Sequence, residues 1–60
     1  MNGEIKIEYE IVDVIGPEHS REFVAEVYSN GKPLGKGKGR SKKEAEMDAA
    51  RDAMEKENIH

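Results

Sequence analysis

Residues 32–57 read KPLGKGKGRSKKEAEMDAARDAMEKE, and this stretch decides the fold. Gly35, Gly37 and Gly39 alternate with Leu34, Lys36 and Lys38, the period of an extended strand, which places all three glycines on one face. A face without side chains lets another backbone approach closely. The segment that follows supplies the partner: Ala45, Ala49, Ala50, Ala53 and Met54 recur at helical spacing, and most are small. Ser41 is a good helix N-cap, and Glu44 stands three residues on, the spacing of a capping box. The reading is a glycine-faced strand, about 33–39, with a small-residue helix packed on it. Pro33 lacks an N–H, so this strand is expected at a sheet edge.

Working back toward the N-terminus, Asn30-Gly31 is a strong hairpin signal, because both residues tolerate positive φ. Before it, Phe23, Ala25 and Val27 form one face of a strand, and Val24, Glu26 and Tyr28 form the other. Ile5, Ile7, Tyr9 and Ile11 alternate with Lys6, Glu8 and Glu10, which marks a further strand. Val12, Val14 and Ile15 blur that alternation, and Gly16-Pro17 ends it in a loop running through Glu18, His19 and Ser20. The expected fold class is α+β: a three-stranded antiparallel sheet with one C-terminal helix packed on it, in the order β-β-β-α. Asn58 to His60 are expected to fray.

Sixty residues make a single domain, spanning 1–60. A chain of this size buries only roughly 60% of its unfolded surface. Charged residues make up 38% and hydrophobic residues 35%, which predicts a small core beneath a heavily charged surface. The absence of cysteine rules out disulfides and thiolate metal sites and fits a reducing, cytoplasmic setting. The longest apolar run is Phe23-Val24-Ala25, too short for a membrane span or a signal-peptide core.

The charge pattern points to a partner. The net charge is −3 and the isoelectric point about 5.3, which by themselves argue against nucleic-acid binding. Yet six of the ten basic residues lie between Lys32 and Lys43 with no acid among them. Screening beyond about 10 Å lets such a cluster act locally. Lys42 and Lys43 fall in the first turn of the expected helix, where the dipole disfavours cations. An anion meeting them there relieves that conflict, and helix N-termini suit phosphate. The partner implied is phosphate-bearing.

The order GPEH, F-x-A-x-V, G-x-G-x-G-R-S-K-K-E-A-E and then Ala-Ala resembles the double-stranded RNA-binding domain over about residues 8–57. The GRSKKEAE spelling is most similar to the C-terminal domain of bacterial ribonuclease III. The resemblance implies a fold that reads duplex RNA by shape, across two minor grooves and the phosphates between them, over about 16 base pairs. It also implies two contact regions here. Gly16, Pro17, Glu18 and His19 would enter a minor groove, with His19 and the loop backbone touching sugar hydroxyls. Lys42 and Lys43 would bridge phosphates across the major groove, with Lys38 and Arg40 as auxiliaries. Two departures stand out. The family's N-terminal helix has no counterpart, since only Met1 to Glu4 precede the first strand. Glu46 stands where many members carry lysine. Without that helix, the face shaped by Ile5, Ile7, Tyr9, Ile11, Phe23 and Val27 would be only partly covered. A homodimer or another protein is expected to cover it.

Other chemistries fit less well. The glycine run matches neither G-x-G-x-x-G nor the P-loop, and reads as packing glycines. Two distant histidines do not make a metal site. The carboxylates of Glu44, Asp48 and Asp52 recur at four-residue spacing, which could hold magnesium but reads better as a solvated helix face. Tyr9 and Tyr28 read as sheet residues rather than base-stacking platforms. No nucleophile–base pairing is visible, so this chain is not expected to be an enzyme, and no cofactor is implied. The expected function is double-stranded RNA binding without base specificity. The alternative is a protein–protein interaction or homodimerisation module on the same fold, a truncated or engineered domain included.

Overall fold

The computed structural model describes residues 5–57. The expectations about the first four residues and about fraying at 58–60 lie outside the described residues. Strand β1 spans Ile7–Ile15, β2 Glu22–Ser29 and β3 Lys32–Gly39, and helix α1 spans Lys42–Glu57. One 3₁₀ turn, Glu18–Ser20, lies between β1 and β2. The strands form one antiparallel sheet in the order β1-β2-β3, so β3 is an edge strand, as Pro33 predicts.

The β2–β3 hairpin turns on Asn30 and Gly31, whose φ values of 52° and 85° are those of a type I′ turn. Asn30 also fastens the chain just before β1. Its N–H donates to the Lys6 carbonyl at 2.9 Å, and its Oδ1 accepts the Lys6 N–H at 3.0 Å. Along β1, Tyr9 pairs with Val27 and Ile11 with Ala25. A bulge between Ile11 and Asp13 then inserts Val12 as an extra residue. The blurred alternation in the sequence is this bulge, after which Val14 pairs with Phe23 and shares its face.

Helix α1 lies over β2 and β3. Ala45, Ala49 and Ala53 are buried along it, against buried Ala25 and Val27, with Ile11, Phe23 and Leu34 closing the margins. The contact works because β3 offers bare backbone. A Cβ placed on Gly35 would sit 2.6 Å from the Ala53 nitrogen, and one on Gly37 would collide with the backbone of Asp48 and Ala49. Main chain thus meets main chain, and the apolar core is thin.

Two readings of the helix need correcting. Met54 does not join the alanine stripe and is 68% exposed, while Ala50 is only half-buried. These two lie about 100° around the helix from Ala49 and Ala53, beyond the part of the sheet that α1 covers. Nor are Glu44, Asp48 and Asp52 a merely solvated row. Asp52 Oδ2 accepts the Lys36 N–H at 2.9 Å, Asp48 Oδ2 the Lys38 N–H at 3.0 Å, and Glu44 Oε1 the Arg40 N–H at 3.0 Å. Carboxylates one turn apart on the helix meet alternate N–H groups on the outer edge of β3. They occupy the donors that an edge strand otherwise leaves open to another chain.

Across the sheet, β1 is less well covered. Ile5 is exposed, and Ile7 and Tyr9 remain 48% and 44% exposed, although Tyr9 shares the helix-side face with buried Val27. The partial covering expected of this face is what the fold shows.

Candidate nucleic-acid interface

The topology brings two separate stretches of sequence to one end of the sheet. Ile15 pairs with Glu22, and Phe23 pairs with Gly39, so the β1–β2 connection and the start of α1 emerge together. An open concavity of about 490 Å³ lies at this end, lined by Glu18, His19, Ser20, Arg21, Phe23 and Arg40. His19 and Arg40, 21 positions apart in the chain, border the same hollow.

The loop is held by local chemistry. Gly16 adopts φ 94°, and a Cβ there would lie 2.7 Å from the Ser20 carbonyl oxygen, so only glycine fits. Pro17 then accepts the Ser20 N–H on its carbonyl at 2.9 Å, which closes the 3₁₀ turn. Gly16, Pro17, Glu18 and His19 are all exposed on it.

At the helix start, Ser41 Oγ accepts the Glu44 N–H at 3.1 Å. The reciprocal half of the capping box is displaced: Glu44 reaches past Ser41 and takes the N–H of Arg40 instead. Lys42 and Lys43 follow in the first turn, and both are exposed. Among the described residues neither is engaged in an ion pair; those present join Arg51 to Asp48 and Lys56 to Asp52. The nearest acid along the chain, Glu44, is occupied with backbone. The two ammonium groups therefore keep their charge available at the positive end of the helix dipole.

The proposed auxiliaries separate. Arg40 lies at the end described, beside His19. Lys38 pairs with Val24 and so projects from the sheet face opposite the helix, while its N–H is held by Asp48. Arg21 lines the hollow as well and was not singled out from the sequence. Its only sequence signal is its place at the end of the loop, before β2.

Among the described residues, no group of three or more histidine, aspartate or glutamate side chains is arranged to hold a metal ion. No described helix is long and apolar enough to cross a membrane.

A family model described as "Double-stranded RNA binding motif" matches residues 1–57. The chain is 49% identical over 57 residues to Ribonuclease 3 of Streptococcus gordonii, a match covering 95% of this chain and 25% of that protein. It is 52% identical over 58 residues to Ribonuclease 3 of Lactococcus lactis subsp. cremoris, covering 97% and 25%. With Ribonuclease 3 of Streptococcus pneumoniae the identity is 46% over 56 residues, covering 93% and 24%. The chain thus spans about a quarter of the length of the curated relatives it matches. The matched quarter is the portion that fits the double-stranded RNA binding motif.

Proposed function

Because this chain belongs to the double-stranded RNA binding motif family, we propose that it recognises A-form RNA duplexes by shape, without base specificity, in the cytoplasm. Residues 1–60 act as one domain in this reading. Lys42 and Lys43 neutralise phosphates flanking a major groove, aided by the helix terminus. His19 and the Gly16–Glu18 backbone reach sugar hydroxyls in a minor groove, and Arg40 adds a phosphate contact beside them. Lys38, on the other face, contributes long-range field only. The observation that carries the reading is the exposed, unpaired state of Lys42 and Lys43 at a capped helix start, at the same sheet end as the loop.

Binding is expected to be weak, since the net charge is −3, and salt-dependent, since it rests on neutralising phosphates. The test is a titration with RNA and DNA duplexes of about 20 base pairs, slightly more than one binding site. Wild type is expected to prefer RNA. The variant Lys42→Ala/Lys43→Ala should bind roughly tenfold or more weakly, with the salt slope reduced by about 2, one for each phosphate that is no longer neutralised. Amide shifts on adding RNA should appear at His19 and at Lys42–Lys43 together. Equal binding by wild type and variant would overturn the reading.

The exposed Ile7, Tyr9 and Val14 beside the helix favour a second reading, a protein-interaction module. In its simplest form a homodimer buries this face. Sedimentation at high micromolar concentration should then give the mass of two chains, and a monomer rules that form out.

A further inference from the structure

The two edges of the sheet are treated in opposite ways. The β3 edge is closed by Asp52 and Asp48, which take the N–H groups of Lys36 and Lys38, and by Glu44, which takes that of Arg40 just past its end. Nothing comparable closes β1. Among the described residues the one side-chain bond on its outer edge lies past the bulge, where Asp13 Oδ1 accepts the Val14 N–H at 2.8 Å; none is made from Ile7 to Ile11. The Lys6 N–H and carbonyl both turn toward Asn30, on the β2 side. Backbone direction alternates along a strand, so Glu8 and Glu10 also bond inward, while the N–H and C=O of Ile7, Tyr9 and Ile11 point out. An open edge of this kind is a template for another strand.

The side chains say which strand. On the helix side, Ile7 and Tyr9 present half-exposed apolar surface. On the opposite face, Glu8 lies across from Tyr28, and Glu10 lies directly across from Glu26. Like charges placed opposite one another disfavour pairing. The Tyr28 hydroxyl donates to Glu26 Oε1 at 3.1 Å, which satisfies one oxygen but adds no positive charge. Partial burial first, and then the carboxylates of Glu26 and Glu10, raise the Tyr28 hydroxyl above its ordinary range, a sign of the negative field there. Lys36, across from Glu26 on β3, offsets that field only on its far side. On this face β1 carries Glu8 and Glu10 against the single cation Lys6, and among the described residues neither carboxylate is engaged in an ion pair.

In the register that covers the whole edge from Ile7 to Ile11, a second copy of this chain suits it poorly. Two antiparallel β1 strands centred on Tyr9 would set Glu8 of each against Glu10 of the other. We infer that the outer edge of β1, from Ile7 to Ile11, receives an extended segment of a partner protein in which apolar residues alternate with lysine or arginine. The apolar residues would lie beside Ile7 and Tyr9, and the cations opposite Glu8 and Glu10. Main-chain bonds to Ile7, Tyr9 and Ile11 would supply affinity, and the alternation would supply specificity. The bulge at Val12 twists the strand away and limits the added segment to about five or six residues. This inference extends the interaction reading from the face to the edge and is independent of RNA binding.

The probe is an end-blocked synthetic peptide alternating valine with lysine, compared with one alternating valine with glutamate. Hydrogen exchange is followed by NMR on the full 60-residue chain. The lysine peptide should slow exchange at the amides of Ile7, Tyr9 and Ile11 by about tenfold or more, leave Glu8 and Glu10 nearly unchanged, and lose effect in high salt. The glutamate peptide should do nothing. The variant Glu8→Lys/Glu10→Lys, altered only at exposed side chains, should exchange the two preferences. Failure of both peptides to protect those amides overturns the inference. So does binding that maps to Met47 and Met54, or protection of the same amides by self-association without peptide. A duplex RNA titration of the same samples reports separately on the RNA reading.

Discussion

Gly37→Val abolishes the cooperative fold, and Gly37→Ala leaves it barely stable. A Cβ at this position collides with the backbone of Ala49 and Asp48, and comes within 2.7 Å of the Asp48 Cβ. The closest are main-chain atoms in the middle of α1, and the Asp48 Cβ is fixed directly to that main chain, so no rotamer change relieves the clash. The helix has to lift from β3, which opens the packing of Ala45, Ala49 and Ala53 and pulls Asp48 from the Lys38 N–H. Overpacking of this kind costs about 3 kcal/mol for the first methyl, the upper end of its usual range, and more for valine. A chain of this length has roughly 3–9 kcal/mol of stability to lose. Thermal denaturation by circular dichroism should show no transition for Gly37→Val. For Gly37→Ala the midpoint should fall by roughly 10 °C or more. Gly31→Ala is the control: nothing lies within 4 Å of its Cβ, and only the positive φ of the turn opposes it. A well-dispersed spectrum and near-native melting for Gly37→Ala would contradict the packing described.

The second large effect is acid destabilisation through the carboxylates on the β3 edge. The Lys38 N–H, and then the Arg51 guanidinium, hold Asp48 below its ordinary value of 3.8; the Lys36 N–H, and then the Lys56 ammonium, do the same for Asp52. In the unfolded chain both return to that ordinary value and bind protons more readily. Their stabilisation is therefore fully present above the unfolded value and is lost as pH falls through the lower folded values. The melting temperature should fall as the pH is taken from neutral to below the ordinary carboxylate value. Asp48→Asn/Asp52→Asn should melt lower than wild type at neutral pH and show a flatter acid limb. Exchange protection at Lys36 and Lys38 should weaken in parallel. Parallel acid limbs for wild type and variant would show that other groups carry the linkage.

Much of the fold was legible in residues 32–57. Alternating glycines followed by alanines at helical spacing require a close strand–helix contact, and Asn30-Gly31 defines the hairpin before it. The placing of Lys42 and Lys43, exposed in the first turn of a capped helix, was legible as well, from Ser41 and Glu44. What escaped is geometry across elements. Periodicity shows that Glu44, Asp48 and Asp52 share a helix face, but not that this face overhangs a strand edge. The same limit explains Met54, which has helical spacing from the alanines but projects beyond the sheet area that α1 covers. The bulge at Val12 left a trace as broken alternation, which by itself does not distinguish an extra residue from the end of a strand. Arg21 escaped for a related reason: its partner across the hollow, Arg40, belongs to a different turn of the fold.

The contact between α1 and β3 also limits how the domain can change. Position 37 already carries the smallest residue there is, and the two atoms closest to it are main chain, common to every residue type. Trimming Ala49 to glycine therefore cannot rescue a larger residue at 37, since the obstructing nitrogen would remain. Compensating pairs of substitutions, the ordinary route by which packed interiors drift, are closed at this spot. Variation is pushed outward instead, to the lysines, the loop and the free strand edge, where a new partner can be acquired without disturbing the scaffold.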